Sequence, residues 1–256
     1  MPCDVSQDRF SRYRSVFFQC RAVGYWLFLA LLGTWVMPLS AQQDGPLPAP
    51  KAVLGFEVGA DFQLANYDES LAYFKRLAAA SDRVELRSIG RTSGGLDWTI
   101  ALVSSPENLA NIERIREISQ RLAHPAGLTS EAARALAREG KAVVHIDTGL
   151  HATEVAHAQH AIQLAYDLAA ETEDAEILAI LDRVVLVLWP SMNPDGQNMV
   201  VDWYRQNLGS PFEVAPMVKL YQKYIGHDNN RDGYMLNMHE SRVTTRTIRD
   251  WEPQIL

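Results

Sequence analysis

Lys141-Ala-Val-Val-His-Ile-Asp147 runs directly into Thr148-Gly-Leu-His-Ala-Thr-Glu154. A short apolar run that reaches a glycine and then an alanine-rich stretch reads as a buried strand turning into a helix. Ligands of open α/β sheets collect beyond the carboxyl ends of their strands, where His151 and Glu154 fall. Both side chains are donors that a borderline ion such as zinc accepts. His-x-x-Glu by itself also marks ordinary surface pairs on helices, so its meaning depends on the sequence around it.

Downstream, the strand-like Arg183-Val-Val-Leu-Val-Leu-Trp189 leads into Pro190-Ser-Met-Asn-Pro-Asp-Gly196, and His227-Asp-Asn-Asn-Arg-Asp232 follows. These blocks, in this order and at these separations, resemble the carboxypeptidase A-like zinc metallocarboxypeptidases across residues 60–256. The resemblance implies a zinc peptidase that hydrolyses C-terminal peptide bonds through a metal-activated water. It makes His151 and Glu154 ligands of one zinc ion and Asn230-Arg231 the pair that grips a substrate's free C-terminal carboxylate. Arg205, twelve residues after Asn193, matches the arginine that polarises the scissile carbonyl. The implied partner is a peptide or protein with a free C-terminus.

The residue types suit that chemistry. A planar guanidinium meets a carboxylate with two parallel hydrogen bonds, which favours Arg231 over a lysine at a chain end. A fixed positive charge aimed where an oxyanion develops contributes about 3 kcal/mol, which is the role implied for Arg205. Asp228 and Asp232 flank Arg231 and could either pair with it on the surface or orient it.

The family pattern is incomplete in this sequence. In the family, a third zinc histidine and a general-acid/base glutamate follow the Asn-Arg block, whereas here the sequence closes on Trp251-Glu-Pro-Gln-Ile-Leu256, which reads as the opening of another strand. The expectation is a C-terminally truncated member, with the missing histidine beyond Leu256. Thr153 stands where carboxypeptidase A has an arginine, so an amidase or deacylase of the same superfamily, or an inactive fragment that binds peptide ends, is the alternative.

The other histidines are weaker donors. His157 and His160 continue in steps of three, which rotate about 60° backwards around a helix and so cannot share one ion with the motif pair. His145 lies on the strand and reads as a core residue, while His239 is the one remaining alternative ligand.

The fold class expected is α/β: a mixed, largely parallel twisted sheet flanked by helices, incomplete at its C-terminus. Alternating runs at 83–89 and 97–103 read as strands with one wetter face, joined through Gly90-Arg-Thr-Ser-Gly-Gly95 as a hairpin. Helices are expected at 66–80, with Asn66 and Glu69 forming a capping box, and at 107–122, 130–139, 152–170 and 174–181. Asn193-Pro-Asp-Gly196 has the composition of a rigid turn.

Residues 1–41 hold four arginines, the apolar run Ala22 to Met37 and then Pro38-Leu-Ser-Ala41, the pattern of a signal peptide. The run is shorter than the roughly 20 residues a membrane span needs, so export (secreted or periplasmic) is expected ahead of an uncleaved anchor. A linker at 42–58 and a catalytic domain at 59–256 follow. Both cysteines, Cys3 and Cys20, lie in the leader, which leaves a metal site to histidine and carboxylate. Its removal, with four arginines and two aspartates, moves the net charge from −7 to −9 and argues against nucleic acid as a partner. No stable membrane association is expected after cleavage.

Overall fold

The computed structural model describes residues 46–221 and 228–256. The expected leader and His227 lie outside the described residues.

The chain enters through a short helix, α1 (Pro50–Leu54), and a second, α2 (Tyr67–Ala80). Asn66 accepts the Glu69 N–H and Glu69 accepts the Asn66 N–H, so the expected capping box is complete. Within the stretch 42–58 expected as a linker, Pro50 starts α1, and Leu47, Val53, Leu54, Phe56 and Val58 pack on the core.

Strands β1 (Val84–Arg91) and β2 (Asp97–Val103) form the expected antiparallel hairpin. Then come α3 (Pro106–Ala110), α4 (Ile112–Ala123) and α5 (Ser130–Glu139), so the single helix expected at 107–122 is broken at Asn111. The strand β3 (Ala142–Ile146) is followed by α6 (Ala156–Ala170) and by α7 (Ala175–Arg183), which is capped by Asp174. The strand β4 (Val184–Leu188), α8 (Pro194–Asn207), a 3-10 turn at Asn229–Arg231 and α9 (His239–Trp251) complete the order.

The sheet runs β1-β2-β4-β3. β2 pairs antiparallel with both β1 and β4, and β4 pairs parallel with β3. The mixed sheet between helices is as expected, with its parallel part confined to β4, β3 and a parallel bridge from Val144 to Ile255. The closing stretch is helical to Trp251 before Gln254 and Ile255 hydrogen-bond along β3.

Alternation along β2 and β4 divides the core. Ala101, Val103, Leu186 and Leu188 face Phe74, Leu77 and Ile162 of α2 and α6. Ile100, Leu102, Val185 and Val187 face Ile115 of α4 and Val243 and Trp251 of α9. β2 is therefore buried on both faces after Asp97, not wet on one, because a strand between two neighbours has helices above and below. Trp98 packs edge-on against Trp189 at 5.5 Å, and its indole N–H donates to the Ser191 carbonyl at 2.9 Å. This links the hairpin to the loop that leaves β4.

Candidate functional site

The parallel pair β3 and β4 brings the two loops that follow them side by side. The Trp189 N–H donates to the Ile146 carbonyl at 3.0 Å and the Met192 N–H to the Thr148 carbonyl at 2.7 Å, while the Thr148 hydroxyl donates to the Trp189 carbonyl at 2.7 Å. Gly149 turns the chain at φ +68°, where a Cβ would lie 3.1 Å from the Ser191 Oγ. Only glycine combines that backbone with that approach at little cost.

The turn continues with the Glu154 N–H donating to the His151 carbonyl at 2.9 Å. The motif pair thus stands on a turn ahead of α6, which begins at Ala156 and not, as the alanine-rich sequence suggests, at Ala152. His151 Nδ1 and Glu154 Oε1 are 3.3 Å apart. On the other side of the ring, Nε2 lies 3.1 Å from Asp228 Oδ1.

Both carboxylates can only accept, so each contact calls for a cation on the nitrogen it faces: a proton on Nε2 for Asp228, and on Nδ1 a proton or, with the ring neutral, a metal ion shared with Glu154. Two tetrahedral zinc ligands with bonds of about 2.0–2.1 Å stand about 3.3 Å apart, so the pair fits two corners of such a site. Among the described residues no group of three His, Cys, Asp or Glu side chains is placed to hold a metal ion. His157 Nδ1 is 3.6 Å from the other Glu154 oxygen, and both side chains are exposed.

Asp228 also caps the 3-10 turn by accepting the Asn230 N–H at 2.9 Å, and the Asn229 side chain donates to the Leu150 carbonyl at 2.8 Å. Burial works against the Asp228 charge, but the Asn230 N–H, His151 and Arg231 outweigh it and hold the carboxyl below its usual range. Asn230, His157 and His160 join His151 and Glu154 around a cleft of about 770 Å³.

Residues 70–251 match the model of the family Peptidase_M14, zinc carboxypeptidase. The chain belongs to the zinc carboxypeptidase family. No curated protein matches it. Among solved structures, carboxypeptidase A from Helicoverpa armigera is 15% identical, with 64% of this chain and 33% of that one covered at a TM-score of 0.39. A metallo-carboxypeptidase from Burkholderia cenocepacia is 16% identical (72% and 38% covered, TM-score 0.40). Thrombin activatable fibrinolysis inhibitor is 12% identical (82% and 48% covered, TM-score 0.45). The chain spans between a third and a half of the length of these structures.

Of the residues that the sequence assigns to a zinc carboxypeptidase site, the structure brings His151, Glu154 and Asn230 into one cleft. Arg231 is exposed, and among the described residues its guanidinium makes one hydrogen bond, a long one of 3.4 Å to the Asn230 carbonyl. Arg205 is not brought to this cleft. It lies in the last turn of α8, with its guanidinium donating to the Leu64 carbonyl at 2.6 Å and to Glu69 at 2.7 Å, which ties α8 to the cap of α2.

His239, the alternative ligand, sits with Nε2 2.8 Å from the Arg91 carbonyl. His145 is buried, as expected of a core histidine. Asn193 is not a plain turn residue: it caps α8 by accepting the Gly196 N–H, and Asp195 accepts from Thr92 and Gly94 of the β1–β2 turn. Asp228 is the partner that sequence reasoning did not assign to His151. Its place two residues before Asn230, in a block already read as part of the site, is the signal that could have found it.

Proposed function

We propose that the chain carries part of a zinc-dependent metallocarboxypeptidase site that hydrolyses the C-terminal peptide bond of peptides. The observation that supports this reading is the His151 ring, flanked at 3.3 Å by Glu154 and at 3.1 Å by Asp228, in a cleft that also holds Asn230. His151 through Nδ1 and Glu154 through Oε1 would hold the zinc ion. Bound there, zinc would supply a water acidified to a pKa of about 7.

The remaining roles belong to the chain's own groups. Asp228 keeps the proton on Nε2 and fixes the ring plane, so the donor lone pair stays aimed. Asn230 and the exposed Arg231 guanidinium receive the substrate carboxylate, and a bidentate pair there would select chain ends over internal bonds. Arg205 has no part in this reading while Glu69 and Leu64 hold it.

The test is Arg231→Ala in the full-length protein. Loss of a carboxylate anchor raises KM for peptides with a free C-terminus by at least about tenfold and leaves their C-terminal amides unaffected. An equal effect on both substrate types would refute the assignment.

A further inference from the structure

Next to the metal loop lies a second and larger groove, of about 860 Å³, within the range of about 300–1,000 Å³ usual for ligand sites. It runs between the loop at 58–64, α6, α8 and the loop at 213–217, and it shares Ala156 and His160 with the cleft around His151. Thr153, between the two motif residues, also lines it. The two spaces are therefore continuous along the first turn of α6.

Its walls are mostly apolar, with Phe62, Val200, Trp203, Val214 and Met217 among them. Phe62 is 62% exposed and Val214 92% exposed, although folding ordinarily hides such side chains. Phe62 also adopts φ +64°, a backbone conformation that costs a bulky side chain of order 1–3 kcal/mol and points from an outlier toward a function.

The carboxylates of the groove come from two of its walls. Asp61 and Glu213 line it, and none of its lining residues among the described ones is lysine or arginine. Both carboxylates are close enough to Tyr204 that, after burial, they push its hydroxyl pKa up.

We propose that this groove receives the part of a peptide substrate that precedes its C-terminal end, and that it selects apolar side chains accompanied by a basic one. The proposal rests on the reading of the His151 cleft as a carboxypeptidase site. Apolar side chains of the peptide would cover Phe62 and Val214, and a lysine or arginine would approach Asp61 and Glu213. A neutral or acidic segment would leave those carboxylates without a counter-charge or repelled.

The experiment is a binding titration of the full-length protein with N-terminally fluorescein-labelled decapeptides that share one C-terminal residue, read by anisotropy with chelator present to stop turnover. Their upstream residues are apolar with lysine, apolar with glutamate, or polar throughout, and each is made with a free and an amidated C-terminus. The apolar lysine peptide is expected to bind about tenfold more tightly than the polar one, since burying one apolar side chain is worth at least about a factor of ten, and several-fold more tightly than the apolar glutamate one, whose charge Asp61 and Glu213 would repel. In the double variant Asp61→Asn, Glu213→Gln the lysine-over-glutamate preference should fall below about twofold while the apolar-over-polar preference persists.

These preferences in the amidated series would support the groove even if recognition of the free carboxylate failed. Dependence on the free C-terminus with indifference to upstream residues would overturn the groove and leave the cleft reading standing. A dimer in sedimentation velocity that the apolar peptides dissociate would assign the groove to a second copy of the chain and overturn the proposal. So would preferences that the double variant leaves unchanged.

Discussion

Asp228 Oδ1 lies 3.1 Å from His151 Nε2, and the same oxygen accepts the Asn230 N–H at 2.9 Å. One carboxylate thus sets the ring of the first motif histidine and the start of the turn that carries Asn230 and Arg231. Any change at Asp228 reaches both halves of the proposed site at once. Partners of this kind fix the tautomer and raise the basicity of a metal-binding imidazole.

Asp228→Ala is expected to weaken zinc binding by about 10–100-fold with little change in the circular dichroism of the folded chain. A competition titration against a chromogenic chelator reads this directly. Undiminished affinity would show that Asp228 does not support a metal ligand.

His145 supplies a pH dependence. Burial lowers its pKa and outweighs the raising effect of Asp147, and neither ring nitrogen has a hydrogen-bond partner among the described residues. An unfolded histidine titrates near about 6.5, so just below that pH the unfolded chain holds a proton that the folded chain refuses. The stabilising contribution is complete above about pH 6.5 and declines as the pH falls. His145→Phe should lose less stability than the wild type between pH 7.5 and 5.0 in urea unfolding; parallel profiles would contradict this.

Gly149→Ala is expected to cost about 1–3 kcal/mol, because alanine is strained at φ +68° and its Cβ would press on the Ser191 Oγ at 3.1 Å. Chemical denaturation measures the cost. Gly127, at φ +75° with nothing within 4 Å, is the control for backbone strain alone, and its alanine variant should be the milder of the two.

Arg205→Ala separates a clamp from a catalytic group. Its ion pair with Glu69 is partly exposed, at 40% for each side chain, so the expected loss of stability is about 1 kcal/mol or less, with the hydrogen bond to Leu64 included. A drop in kcat of about 10²–10³ at unchanged stability would instead give Arg205 the oxyanion role that the sequence suggests.

Local signals in the sequence carried well into the structure. Asn66 with Glu69 and Asp174 before Ala175 mark helix starts through bonds made within three residues. The apolar runs at 142–146 and 184–188 mark the parallel pair whose ends hold the candidate site. Long-range relationships were not legible. The Asp228–His151 pair spans 77 residues and the Arg205–Glu69 pair 136, and no local propensity encodes either. Burial of β2 on both faces depends on α4 and α9 packing opposite α2 and α6, which period-two alternation within the strand does not reveal. Ala152 looks helical by composition, yet the turn that seats His151 and Glu154 occupies those residues and delays α6 to Ala156.

The most direct measurement is hydrolysis by the zinc-loaded full-length protein of two peptides that differ only in a free or an amidated C-terminus, with and without a chelator. The account predicts release of the terminal residue from the free peptide alone, abolished by the chelator and restored by zinc. Equal cleavage of the two peptides, or cleavage indifferent to the chelator, would contradict it.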